Sequence, residues 1–188
     1  FLPERITAER VALGDQFDER DADWNTRSPT ARQSGNHQRL TQRCGELVER
    51  VRARWPRDGQ VAAEDIAIYE AVVGCWLYHS YASRFDALIL TALGGRGGEK
   101  VDFYPVFRAD ADARFGLPGI AEVSGAHAAP HLFASAFQIR RAFHNIFVSL
   151  VGGSTPMAQL RAAIWQSIFS HDLARYRRGL HARMADFS

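Results

Sequence analysis

Lysine is almost absent from this sequence. Of 23 basic residues only Lys100 is not an arginine, a bias that suggests a GC-rich bacterial gene. Cysteine is scarce too, with Cys44 and Cys75 the only two. Two thiols exclude a disulfide framework and fit a reducing compartment. A charge excess is also lacking: a net charge of +2 gives no argument for a nucleic-acid or membrane surface. No apolar run is long enough to cross a bilayer. The opening "FLPERITAER" carries charges where a signal peptide needs an apolar core. A cytoplasmic protein is therefore expected. Starting at Phe1 rather than Met, the chain is expected to be trimmed from a longer one. Alternating strand patterns and internal repeats are missing as well.

What is present is apolar bulk at helical spacing, 46% of the chain, with 12 phenylalanines. At 188 residues it can bury a core without staples. Residues 1–30 read as a short helix followed by a polar connector. Over 31–55, Leu40, Cys44, Leu47, Val48, Val51 and Trp55 form one helical stripe, which "PRDGQ" ends. Residues 62–93 carry large side chains nearly all the way round, as a central, buried helix does. "GGRGGEK" then reads as a loop. Asp102 is placed to cap a helix with Pro105 in its first turn. "GLPGIAEVSGAHAAP" reads as a loop or lid. Over 130–151, Leu132, Ala136, Ile139, Phe143, Ile146 and Leu150 form a row widened by Phe133, Phe137, Phe147 and Val151. Ser154 or Thr155 can cap a last helical region, with Met157, Leu160, Ile164 and Ile168 on one face. Leu173, Tyr176, Leu180 and Met184 continue it after a bend near 170–172. The fold class expected is all-α, a helical bundle of about five to seven helices.

The stretch "LVGGSTPMAQLRAAI", residues 150–164, resembles the entry segment of the AAA+ ATPase domain in sigma-54-dependent transcriptional activators, the bacterial enhancer-binding proteins. There a hydrophobic pair and Gly turn, a Ser-Pro-Met and a helix containing Leu-Arg precede the Walker A loop. The likeness covers residues 150–168, about a tenth of the chain, and holds no catalytic residue. It implies a regulatory or sensor domain over 1–149 and, over 150–188, the entry to an ATPase domain that lies beyond this chain. It implies that Leu150, Val151 and Gly152 lie against adenine in the intact protein, where a Gly turn lets backbone approach a flat base. It also implies the partners: the chain's own downstream AAA+ domain, and sigma-54 RNA polymerase and DNA through other domains. Receiver, GAF and PAS sensors need strands, so the sensor type does not come with the resemblance. One departure stands. "SHDLARYRRGLHARMADFS" follows the entry helix where the family has its Walker A strand, which leaves either an added helix or a shifted alignment. "GGRGGEK" is not the phosphate loop G-x-x-x-x-G-K-S/T: Glu99 separates Gly98 from Lys100, and no Ser or Thr follows. The chain itself is expected not to be an enzyme.

Two polar sets stand among apolar neighbours. Arg140 and His144, four apart, fall on the core side of helix 130–151. Glu70, His79, Arg84 and Asp86 lie in the long apolar segment. These groups read either as a structural network, with Arg140 paired to Glu70 or Asp86, or as a ligand pocket. In the pocket reading Trp76, Tyr78, Tyr81, Phe137 and Phe143 form the walls, and Arg140, Arg84, His79 and His144 meet a polar or anionic group.

Other chemistries have thinner support. His127 and His131 have the spacing of a helical metal pair, but Pro130 interrupts it and no further ligand accompanies it. A single His among phenylalanines, such as His144, could serve haem as an axial ligand. No cofactor is expected, with haem or a metal as the alternative. Cys44 and Cys75 lack a nearby activating group and read as small core apolars. "ARYRRGLHAR" reads as a solvated face or a surface for the next domain. The function expected is signal sensing through a small-molecule effector, in a homo-oligomer without membrane contact. The alternative is a ligand-free helical dimerisation module.

Overall fold

The computed structural model describes residues 2–21, 35–58, 60–95, 101–120 and 129–169. Among them the fold is all-α, as the periodicity predicts, with seven α-helices and no strand. The helices are α1 (Leu2–Leu13), α2 (Gly35–Ala53), α3 (Ala63–Ser80), α4 (Ala82–Leu93), α5 (Tyr104–Phe115), α6 (Ala129–Ser149) and α7 (Thr155–Phe169). Packing divides the chain into two units. One is Thr41–Phe137; the other joins Phe1–Leu40 to Gln138–Ser188. The boundaries fall inside α2 and inside α6.

The first unit is built on α3, α4 and α5. Ile66, Tyr69, Val73 and Leu77 recur at helical steps and form the buried stripe of α3. Phe107, Ala111 and Phe115 do the same for α5. Phe85 of α4 is wholly buried. Its ring lies 5.5 Å from Phe103, 5.1 Å from Phe133 and 6.4 Å from Phe137, centroid to centroid. Edge-on and tilted ring pairs at such spacings add roughly 0.5–1.5 kcal/mol each beyond area burial.

The segment read as one helix over 62–93 is two. Tyr81 (φ −105°, ψ 5°) leaves the helical region, ends α3 and precedes α4. Neither Gly nor Pro marks the break, but Ser80 and Ser83 flank it and the Tyr81 hydroxyl is bonded to α5. The segment does run through the core of its unit, yet part of its circumference stays uncovered: Ile68 is 58% exposed and Leu93 67%.

Helix α2 is shorter than the helix expected over 31–55 and stops before its apolar stripe ends. Of that stripe Val48 is fully buried, Leu47 and Val51 are exposed, and Trp55 lies past the helix end, where its Nε1 donates to the Pro118 carbonyl (2.9 Å). Asp102 is not the cap of α5; Phe103 takes that position, with no side-chain cap.

In the second unit the amino-terminal half is clasped by polar groups. Asn36 is fully buried, its Oδ1 accepting from Asp18 N (2.9 Å) and its Nδ2 donating to Asp18 O (2.7 Å). One carboxamide thus bonds both backbone groups of Asp18, whose carbonyl also accepts from Asp21 N (3.1 Å). Arg39 donates to the same Asn36 oxygen (2.8 Å) and pairs with Asp21 (3.2 Å). Arg5 pairs with buried Glu9 (2.5 Å) and bonds His37.

The carboxyl-terminal half is a helical hairpin. Ile146 and Phe147 of α6 pack on Ala158 and Ala162 of α7, with Phe143, Leu150, Ile164, Trp165 and Ile168 around them. Most of the row predicted for α6 is buried, with Phe133, Phe137 and Phe143 half-buried; Leu150 and Val151 lie beyond the helix end, and Val151 is 74% exposed. For α7 the buried face is rotated from the predicted row of large residues. Ala158, Arg161 and Ala162 are buried, whereas Leu160 is exposed, because two alanines let the helix axes approach. The bend near 170–172 and the arginine-rich "ARYRRGLHAR" lie outside the described residues.

Candidate functional site

The turn between α6 and α7 opens the stretch 150–168 for which a resemblance to an ATPase entry is expected from sequence. Its backbone is Leu150–Ser154. Gly152 has φ +142°, a conformation that glycine adopts without the steric penalty of a Cβ. The Ser154 carbonyl accepts from Ala158 N (3.0 Å) and opens α7, with Pro156 in its first turn, where the missing N–H would be unpaired anyway.

Arg161 locks this turn. It is the only charged residue in α7, and its side chain is buried (1% exposed). Its Nε and Nη2 donate to the Leu150 carbonyl at 3.0 and 2.6 Å, and Nη2 also reaches the Gly152 carbonyl. The guanidinium carbon lies 4.8 Å from the Phe147 ring centroid. Burial pushes the Arg161 pKa down, but a guanidinium keeps its charge across the physiological range. One planar fork therefore ties two turn carbonyls and one α6 ring to the middle of α7. The sequence offers one signal for this: an arginine alone among the apolar and small residues of "TPMAQLRAAIWQSIF".

The residues of the predicted pocket fall in both units. Arg140 and His144 belong to the unit of α7. His144 is 5% exposed, as its phase requires. Arg140 is half-buried, with its guanidinium 4.8 Å from the Phe143 centroid. Trp76, His79, Tyr81, Arg84 and Phe137 belong to the other unit. There the Tyr81 hydroxyl donates to Asp110 Oδ2 (2.6 Å), and burial, followed by that bond, pushes the phenol above the usual tyrosine range. Arg84 is exposed, 5.7 Å from the Tyr81 ring centroid and 5.8 Å from that of Phe103. His79 meets Tyr78 edge to face at 4.9 Å. Glu70 and Asp86 are half-buried.

Trp76 is tied to residues that periodicity does not flag. The Arg114 guanidinium lies over its ring, 3.9 Å from the centroid. Arg114 also pairs with Glu49 (3.2 Å) and Asp110 (2.9 Å), and its carbonyl accepts from Tyr69 OH (3.0 Å). On the other helix Gly45 faces the indole, where a Cβ would lie 2.9 Å from Trp76 Nε1. Burial pushes the Tyr69 phenol up to about 12, against the opposing charges of Arg52 and Arg114. Both Nη atoms of Arg114 are committed to carboxylates, so this seam holds helices together rather than presenting an open cation.

An open groove of about 570 Å³ runs along α1, lined by Pro3, Glu4, Thr7, Ala8, Val11 and Ala12. It includes none of the predicted pocket residues and has little polar chemistry. Among the described residues no group of three or more His, Cys, Asp or Glu could hold a metal ion. His127 lies outside them; His131 is half-buried in α6. No described helix is long and apolar enough to cross a membrane. The cysteines are not core apolars: Cys75 is exposed and Cys44 half-buried.

Leu150, Val151 and Gly152, the residues assigned to adenine by resemblance, are respectively half-buried, exposed and half-buried. Two of their carbonyls face Arg161, while the side chain of Val151 is open. No protein-family model, no curated protein and no solved structure matches the chain.

Proposed function

We propose that this chain is the signal-sensing regulatory region of a sigma-54-dependent transcriptional activator, placed ahead of an AAA+ ATPase domain. The observation behind it is the Arg161-locked hairpin. The helix that bears Arg140 and His144 passes through a fixed turn into the segment resembling the ATPase entry. A small effector that favours one packing of α6 would bias α7 through that turn. It can do so only by its differential affinity for the two arrangements. Arg140 and His144 are the groups on α6 suited to a polar or anionic effector, the first by its planar donors. ATP hydrolysis would belong to the region after this chain, and Leu150–Gly152 would border its base site.

The test is promoter activation by the intact protein. Arg140→Ala and His144→Ala are expected to reduce the inducer response at least about fivefold, the lower end of ordinary coupling between sites. An unchanged response in both variants overturns the effector role of α6.

A second reading, a ligand-free dimerisation module, draws on the exposed apolar residues Ile68, Leu90 and Leu93 of α3 and α4. Apolar patches left open on a monomer commonly mark contact surfaces. Native mass spectrometry separates the two readings: a dimer that retains no small molecule favours the second, and a retained small molecule the first.

A further inference from the structure

The only two cysteines of the chain stand 31 positions apart in sequence and on different helices, Cys44 on α2 and Cys75 on α3. The fold brings them together: the two thiols are hydrogen-bonded to each other. The next residue on each helix shows how close the approach is. Gly45 lies against Trp76, and a Cβ on Gly45 would sit 2.9 Å from Trp76 Nε1 and 3.2 Å from Cδ1. Only a residue without a side chain leaves room there for the indole, so α2 and α3 pack against each other at the level of the two cysteines. A disulfide needs Cα atoms about 4.4–6.8 Å apart. Both thiols are reduced, Cys75 is open to solvent and Cys44 is half-buried behind it.

We propose that Cys44 and Cys75 form a reversible oxidation site, closed into an intramolecular disulfide by a small peroxide. The steps balance. The Cys44 thiolate attacks one peroxide oxygen; an S–O bond forms, the O–O bond breaks, and the departing hydroxide takes up a proton as water. Cys75, as thiolate, then attacks the Cys44 sulfenic sulfur. The S–S bond forms and the second hydroxide leaves as water. Two thiols lose two electrons and two protons, and one peroxide becomes two waters. A low-molecular-weight dithiol reverses the bond by exchange.

The roles follow from the contact between the two thiols and from their exposure. Cys75, the more exposed thiol, is the hydrogen-bond partner of Cys44 and favours its thiolate. That hydrogen bond draws the Cys44 pKa down to about 7, against burial, which pushes it up. Thiolate character, not thiol content, sets reactivity toward an oxidant. The exposed Cys75 resolves the intermediate before further oxidation, as an adjacent second thiol does in redox sensors. Closure staples α2 to α3 across the turn at residues 54–58.

The experiment treats the purified chain with one equivalent of hydrogen peroxide and reads intact mass, free thiols and peptide linkage. The expected result is the loss of two hydrogens and of both free thiols, with the peptides containing Cys44 and Cys75 joined within one chain. Dithiothreitol should reverse it, and oxidation should raise Tm by several degrees. Cys75→Ser is expected to stop at oxygen adducts on Cys44. Cys44→Ser is expected to slow the reaction at neutral pH roughly tenfold, by loss of the thiolate. Failure of both thiols to react, independent oxygen adducts on each cysteine in the unaltered chain, or bridges formed only between chains would each overturn the proposal. The linkage in the unaltered chain decides the matter even if a serine variant fails to fold.

Discussion

At the scale of single residues, the chain places few polar groups inside, and each has a defined task. Asn36 holds both backbone groups of Asp18. Tyr69 and Tyr81 each turn a buried ring toward a polar acceptor at the seam around Arg114. Tyr69 fixes a pH dependence. Its folded pKa, about 12, lies above the ordinary value of 10. The unfolded chain therefore releases this proton first. Stability from keeping the phenol neutral is complete below pH 10 and falls as pH rises from 10 toward 12. Denaturant midpoints measured at rising pH should drop through that window, and Tyr69→Phe should flatten the drop. A midpoint that does not move with pH in either protein contradicts this. Asn36 was not legible because it sits in a polar run, "RQSGNHQ", with no apolar neighbour to mark it as interior. Cys44 and Cys75 were misread for a related reason: sequence shows each alone, and only the helix crossing makes them a pair.

At the scale of elements, helix existence and phase were readable where one apolar row dominates, as in α6. They failed where nearly every position is apolar or where small residues do the packing. The break at Tyr81 lies inside an unbroken apolar segment, so periodicity runs straight through it. The packing face of α7 follows Ala158 and Ala162 rather than the large residues, and a hydrophobic count points to the wrong side. Arg161 converts that close approach into a fixed hairpin. Replacing it with methionine fills similar volume but leaves the Leu150 and Gly152 carbonyls without their donor. The variant should lose about 1–3 kcal/mol of stability in urea unfolding. Arg161→Lys should recover only part of it, because an ammonium lacks the second donor that Nε gives to Leu150 and the flat face that lies over Phe147. An unaltered urea midpoint for Arg161→Met would show that the latch contributes nothing.

At the scale of the whole molecule, the all-α architecture was legible from composition and period together, since no segment alternates. The two-unit division was not: its boundaries cut α2 and α6 internally, and no linker composition announces them. The proposed function rests on continuity from α6 through the locked turn into a segment whose sequence resembles an ATPase entry. If that continuity controls a motor, removing what precedes it must change the motor's rate. The most direct measurement is ATP turnover by the protein extended through the proposed ATPase domain, with and without residues 1–149. The account predicts a change of about fivefold or more, in either direction, from loss of the coupling between regions. Equal turnover with and without those residues would contradict it.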